Sequence, residues 1–199
     1  MLGGAGDDFI ETKTGADLVR GDGGLDVIFA WRAMDDTVYG GGGEDQLIGG
    51  FGDDNLIGGN GNDGLQGGFG SDRLNGGNGM DGLDGGPGAD RLLGMDGNDI
   101  LVGGIGSDTA SGGDGADTFY FETNTLFALD TDVITDFDAD VDTVWVDPTA
   151  PNAVIAEISS NGTNTKVDYI NGYRIVFQGV DEDVVVGLAL DGDLGTFIV

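Results

Sequence analysis

Aspartates recur in this chain at nine-residue intervals, each closing a run of glycines. The unit Gly-Gly-x-Gly-x-Asp-x-aliphatic-x reads GGAGDDFIE at 3–11, GGGGEDQLI at 40–48, GGFGDDNLI at 49–57 and GGNGNDGLQ at 58–66. It continues as GGFGSDRLN at 67–75, GGNGMDGLD at 76–84, GGPGADRLL at 85–93 and GGDGADTFY at 112–120. The Asp at the sixth place offers a hard carboxylate oxygen, the ligand type that suits calcium. Glycines at the first, second and fourth places tolerate positive φ and let main-chain carbonyls crowd one point. A dinucleotide-binding reading would need a strand before the glycines and a long helix after them, and the flanking sequence supplies neither. The chemistry on offer is the holding of hard divalent cations by carboxylate and carbonyl oxygens.

Composition narrows the alternatives. Seven Lys+Arg face 37 Asp+Glu, a net charge of −30. Nucleic acid is a poor partner for such a chain, because affinity for phosphate comes mainly from Lys and Arg, and an anionic membrane surface is unsuited for the same reason. Divalent cations are the natural counter-charge. The 42 glycines come with 3 prolines and no three-residue period, which excludes collagen. With neither Cys nor His, disulfides, thiolate metal sites, the usual zinc hydrolase sites and Ser-His-Asp triads are all excluded. An enzyme would have to work with paired carboxylates alone, and the glycine loops already account for nearly every Asp, so no enzyme is expected. No apolar run is long enough for a transmembrane helix, and the N-terminus lacks the cationic-then-apolar pattern of a signal peptide. The expectation is export by a route that ignores the N-terminus, or an excised module.

The loops must be positioned by what lies between them. The eighth-place residues are Ile10, Val19, Ile28, Val38, Leu47, Leu56, Leu65, Leu74, Leu83, Leu92, Leu101, Ala110 and Phe119. Each, flanked by two outward residues, predicts a three-residue strand with one inward side chain. Such self-similarity at a fixed short period marks a solenoid, and this nonapeptide is a known calcium-binding β-helix repeat. Two units form one 18-residue coil with a strand on each side, and coils stack into an all-β, right-handed parallel β-roll with cations between loops 18 residues apart. One buried aliphatic per nine residues is little burial against the ordering of a glycine-rich backbone, and facing carboxylates repel. The metal-free roll is therefore expected to be unfolded, with calcium binding and folding a single event.

Two units break the rule. Residues 12–17 read Thr-Lys-Thr-Gly-Ala-Asp, and 30–36 read Ala-Trp-Arg-Ala-Met-Asp-Asp with one residue inserted. They stack on one edge, which should lack a good cation site at that end, while Asp8, Asp26 and Asp45 keep the other edge regular. Lys13, Arg20 and Arg32 gather nearby, so a basic side chain could stand in for the cation beside Asp17 and Asp36; decay of terminal repeats into caps explains the same residues. Outward positions carry an apolar cluster at Phe9, Val27, Phe29 and Ile48, expected to contact a partner or a second copy. Ile100, Val102 and Tyr120 form another, expected to be covered by the C-terminal block. From 121 to 199, alternation predicts half-buried antiparallel strands at 132–137, 143–147, 153–158, 165–170, 173–178 and 184–190, with turns at Asn161-Gly162 and Asn171-Gly172. This β-rich block should cap the roll formed by residues 1–120.

The repeats at 3–120 resemble the RTX family, the hemolysin-type calcium-binding proteins. GADTFYFE at 115–122, DVITDFDADVDTVWVD at 132–147, IVFQGVD at 175–181 and the terminal Thr-Phe-Ile-Val are similar to the C-terminal domain of serralysin-type proteases. The resemblance implies secretion through a type I (ABC transporter) channel, directed by an uncleaved C-terminal signal, and folding in extracellular calcium. It implies calcium ligation by Asp8, Asp26, Asp45, Asp54, Asp63, Asp72, Asp81, Asp90, Asp99, Asp108 and Asp117, and less regularly by Asp17 and Asp36. Carbonyls of the loop glycines complete the set, at Gly4, Gly41, Gly50, Gly59, Gly68, Gly77, Gly86, Gly104 and Gly113. Met95 replaces the second glycine in the loop 94–99. Roughly 8–11 ions would be held by the roll. The protease zinc motif has no counterpart, so proteolysis does not transfer. The alternative function is a carbohydrate-binding or adhesion module, for which Arg73 and Arg91 on one face are the relevant residues.

Overall fold

The computed structural model describes residues 1–31, 34–121, 130–138, 140–146, 155–160, 164–169, 174–178 and 196–197. Successive units place their strands alternately in two sheets. The first sheet stacks β1 (Leu2–Ala5), β3 (Leu18–Gly23), β5 (Thr37–Gly42), β7 (Asn55–Asn60), β9 (Arg73–Asn78), β11 (Arg91–Asp96), β13 (Thr109–Asp114) and β15 (Thr131–Ile134). The second stacks β2 (Phe9–Glu11), β4 (Val27–Phe29), β6 (Gln46–Phe51), β8 (Gly64–Phe69), β10 (Gly82–Pro87), β12 (Ile100–Ile105), β14 (Thr118–Phe121) and β16 (Thr143–Val146). Neighbours pair in parallel, one coil apart: Leu56 lies beside Leu74 and Leu74 beside Leu92, while Leu47, Leu65, Leu83, Leu101 and Phe119 align across the other sheet. The architecture is the all-β parallel roll that the repeat predicts. Among the described residues, no helix is long and apolar enough to cross a membrane.

The strands are longer than the pattern suggests. A regular unit yields six strand residues, because the chain stays extended through the first three places of the next unit before it turns. Two inward positions result, the aliphatic and the first glycine, so Leu47 and Gly49 are both buried in β6. Where Thr12-Lys13 and Ala30-Trp31 replace the glycine pair, β2 and β4 stop after three residues. The core is a single file of aliphatics on each sheet: every eighth-place residue from Ile10 to Phe119 is buried, and Ala30 joins them. Since the coils are thin, each side chain is covered by its counterparts above, below and across the roll.

The C-terminal residues extend this scheme before they depart from it. The segments expected to start an antiparallel block instead continue the roll: β15 pairs in parallel with β13, and β16 with β14. They can do so because Asp132 and Asp142 supply the same coil-to-coil hydrogen bond as the repeat aspartates. β19 (Arg174–Gln178) adds in parallel to β15, and only then do β18 (Asn164–Tyr169) and β17 (Ile155–Ser160) follow antiparallel. β20 (Thr196–Phe197) lies antiparallel to β16. Phe137 fills the end of the core, its ring 6.3 Å from that of Phe119 and 5.1 Å from that of Phe177. The expected turns at 161–162 and 171–172 and the strand at 184–190 lie outside the described residues.

The two apolar surface clusters have different outcomes. Phe9 is 70% exposed, with its ring 5.6 Å from Phe29, and Phe29 lies 5.8 Å from Trp31. Val27 pairs with Phe9 and Ile48 with Phe29, so the cluster is one contiguous patch. The second cluster was expected to be covered, yet Ile100 remains 55% exposed. Trp145 pairs beside Tyr120 and lengthens that column on the outer face, since β16 joins the sheet edge-on instead of lying over it.

Candidate metal centre

Each turn between strands consists of the fourth, fifth and sixth places of a unit, such as Gly52-Asp53-Asp54 between β6 and β7. The second and fourth glycines sit at positive φ, for example 106° at Gly50 and 122° at Gly52. Gly4, Gly41, Gly59, Gly68, Gly77, Gly86, Gly104 and Gly113 share the second-place conformation. Met95, at φ 86°, and Asp22, at φ 78°, hold it without being glycine, at a cost in backbone strain. The first glycine does not have positive φ. Its lack of a side chain serves space instead: a Cβ on Gly49 would run into Oδ2 of Asp54 and lie 2.7 Å from the carbonyl oxygen of Gly67 in the next coil.

Two columns of aspartates follow from this stacking. In one, the amide of Asp54 donates to Oδ1 of Asp72, Asp72 to Asp90, and Asp90 to Asp108. In the other, Asp8, Asp26, Asp45, Asp63, Asp81, Asp99 and Asp117 are linked in the same way. Oδ1 is thus used for structure. Oδ2 is not: in Asp8, Asp26, Asp45, Asp54, Asp63, Asp72, Asp81, Asp90, Asp99, Asp108 and Asp117 it is buried with no hydrogen-bond partner. It points into the space above the first glycine, and in Asp8, Asp26, Asp45, Asp54, Asp63, Asp72, Asp90 and Asp99 a glycine carbonyl of the following coil borders the same space. Repeated orphaned carboxylate oxygens, each facing a cradle kept open by glycine, fit a hard cation that accepts oxygen ligands.

Electrostatics agree with that assignment. Burial pushes Asp54 and Asp90 up to about 7, with neighbouring aspartates adding to the rise against the opposing amide hydrogen bond. The same causes lift Asp63, Asp99 and Asp108 to about 6. Burial also raises Asp36, Asp45, Asp72, Asp81 and Asp117 above the ordinary carboxylate range. Without a counter-ion these columns resist ionisation; a divalent cation removes the resistance. Among the described residues, no three acidic side chains converge on one point. One carboxylate per turn is the reason, and main-chain carbonyls such as that of Gly67 must supply the remaining oxygens.

Residues 2–32, 33–65, 57–92 and 93–123 each match the family model of the RTX calcium-binding nonapeptide repeat. The chain belongs to the RTX calcium-binding repeat family. RTX nonapeptides bind Ca²⁺, and the buried Asp series of this RTX chain fits calcium-binding turns. Among solved structures, the AlgE6R3 subunit from the Azotobacter vinelandii mannuronan C5-epimerase is similar over 64% of this chain and 86% of that one, at 30% identity and a TM-score of 0.45. The extracellular lipase LipA from Serratia marcescens is similar over 80% of this chain and 38% of that one, at 18% identity and a TM-score of 0.35. No curated protein matches.

The irregular edge of the RTX roll is also legible. Thr12 and Ala30 occupy the first place of their units, both buried, so each carries a Cβ at the position that regular units reserve for Oδ2. Asp36 is buried and accepts from the amide of Asp17, which keeps the column's hydrogen bond while the cradle beneath it is filled. Of the basic residues considered as cation substitutes, Arg20 lies 4.7 Å over the ring of Tyr39 on the outer sheet face; Lys13 is exposed, and Arg32 lies outside the described residues.

Sequence reasoning missed two members of the columns. Oδ1 of Asp132 accepts from the amide of Asp108, and Oδ1 of Asp142 from that of Asp117. Their intervals from the preceding Asp are 24 and 25 residues, and no glycines announce them. The remaining signal was local: Asp132-Val133-Ile134 and Asp142-Thr143-Val144 repeat the sixth to eighth places of the nonapeptide. A second, exposed ladder also went unseen, in which fifth-place Asp53 and Asn62 accept from the amides of Ser71 and Met80.

Proposed function

We propose that this RTX chain is a secreted, non-enzymatic module that folds when it meets extracellular calcium. The observation that carries the reading is the pair of columns of buried Oδ2 atoms without partners. A folded state that strands this many carboxylate oxygens is unfavourable without cations and favourable with them. The calcium ligands are the aspartates from Asp8 to Asp117, with carbonyls from the loop glycines. Asp132 and Asp142 continue the columns as further candidates. Where calcium is scarce the chain remains an extended polyanion, suited to passage through a type I channel by way of its C-terminal residues. Outside, cation binding and folding coincide, and the end of the core closed by Phe137 discourages return. The commitment of the aspartates to turns, together with the absence of His and Cys, supports a role without catalysis.

Circular dichroism of the purified chain during a calcium titration tests the reading, with magnesium as control. The expected result is a cooperative gain of β signal with calcium and none with magnesium, which demands tighter octahedral geometry and sheds water reluctantly. A chain that keeps a cooperative melting transition in excess chelator would overturn it.

A further inference from the structure

The outer face of the first sheet is chemically unlike the rest of the molecule. From β3 to β13, the outward side chains that precede the glycines include Arg20, Arg73 and Arg91 and not one carboxylate, in a chain of net charge −30. Arg73 and Arg91 occupy partnered positions on adjacent strands, about 4.8 Å apart, an arrangement in which like charges directly opposite are destabilising. Neither has a carboxylate partner among the described residues. Both line a shallow depression of about 360 Å³ with Tyr39, Asn55, Ile57 and Asn75. Arg20 does not share this role, since it is spent on the ring of Tyr39.

We propose that Arg73 and Arg91 form an anion site that takes an oxyanion group, carboxylate or sulfate, carried by a hydroxyl-rich ligand. Two guanidinium forks one strand apart can each donate a pair of hydrogen bonds to one bridging oxyanion. Asn55 and Asn75 flank them with amides that both donate and accept, as hydroxyls require, and Ile57 gives the floor an apolar contact. Nucleic acid fits less well: two cations neutralise few phosphates, and the one nearby aromatic ring is already covered, which leaves no stacking platform. The site presupposes the calcium-loaded roll, because only strand pairing brings the two arginines together.

The test uses the full chain in saturating calcium, titrated calorimetrically with sodium sulfate and, separately, with sodium glucuronate. Binding of both points to the oxyanion alone, and preference for glucuronate to a carboxylated, hydroxyl-rich ligand; either result supports the site. Arg73→Gln and Arg91→Gln should each weaken binding about tenfold, and the double variant should abolish it. Arg73→Lys with Arg91→Lys should recover only part, since a point charge cannot bridge bidentately. Arg20→Gln should leave binding within about twofold. Binding unchanged in the double Gln variant, or absent from the native chain, overturns the proposal. Circular dichroism of the same samples separates this outcome from a failure to fold with calcium.

Discussion

The amide of Asp54 donates to Oδ1 of Asp72 at 2.7 Å, one coil further along the chain. One oxygen of each repeat carboxylate therefore joins neighbouring coils while the other is left for a cation. Asp72→Asn separates the two roles, because the amide oxygen still accepts from Asp54 while the charge is lost. The calcium concentration at the folding midpoint should rise, with folding weakened by roughly 1–2 kcal/mol at about 1 mM calcium. Asp53→Asn, at the exposed fifth place where Asn62 serves the equivalent coil contact, should leave the midpoint nearly unchanged. Equal midpoints for the two variants in a dichroism titration would contradict the division of labour.

Glycines that look equivalent in composition should differ sharply on substitution. Gly49→Ala forces a Cβ against Oδ2 of Asp54 and the Gly67 carbonyl, so it should weaken calcium-dependent folding by about 1–3 kcal/mol. Gly82→Ala meets nothing within 4 Å and requires no positive φ, and it should be neutral or stabilising by a few tenths of a kcal/mol. Thermal melts in saturating calcium provide the comparison, and a Gly82 variant as damaged as the Gly49 variant would refute the cradle geometry.

Acidity should act in opposite directions with and without calcium. In the metal-free roll Asp54 and Asp90 keep their protons up to about 7, whereas unfolded carboxylates release theirs near about 4. The folded form therefore binds more protons across that window, and its metal-free stability falls as pH rises through it. In chelator, the β signal should be greater at about pH 5 than at about pH 7.5. In calcium, protons compete for the same oxygens, so the midpoint calcium concentration should rise as the pH is lowered. A calcium midpoint that stays constant over this range would be the contrary result.

Leu74 stands for the single-file core. It is 1% exposed and flanked in its sheet by Leu56 and Leu92. Leu74→Ala should cost about 2–5 kcal/mol, read as a lower melting temperature in saturating calcium and a higher calcium requirement for folding. A melting temperature equal to that of the native chain would mean that cations alone hold the coils together.

Much of this was readable from nine-residue periodicity, because in a solenoid the local rule is the global fold. The inward residues from Ile10 to Phe119 could be named individually, since an inward place recurs at a fixed phase. The length of the strands could not, because Gly49 is buried for its absence of side chain and hydropathy has no signal for that. The direction of β15 and β16 was misread for a related reason. Alternation in 132–147 marks a half-buried strand but says nothing about its neighbour's direction, which here depends on Asp132 and Asp142 catching amides from a loop twenty-odd residues earlier. The selective use of Oδ1 and Oδ2 was likewise invisible, since it depends on the height of one coil above another.

The insertion within 30–36 and the aromatic plug at Phe137 have a consequence for the whole roll. Among uniform units, a slip by one full coil would preserve nearly every ladder bond and aliphatic contact, so perfect repetition contains no address. Only the aberrant coils distinguish one alignment from its neighbours. The places where the motif fails are thus what give each strand a unique seat.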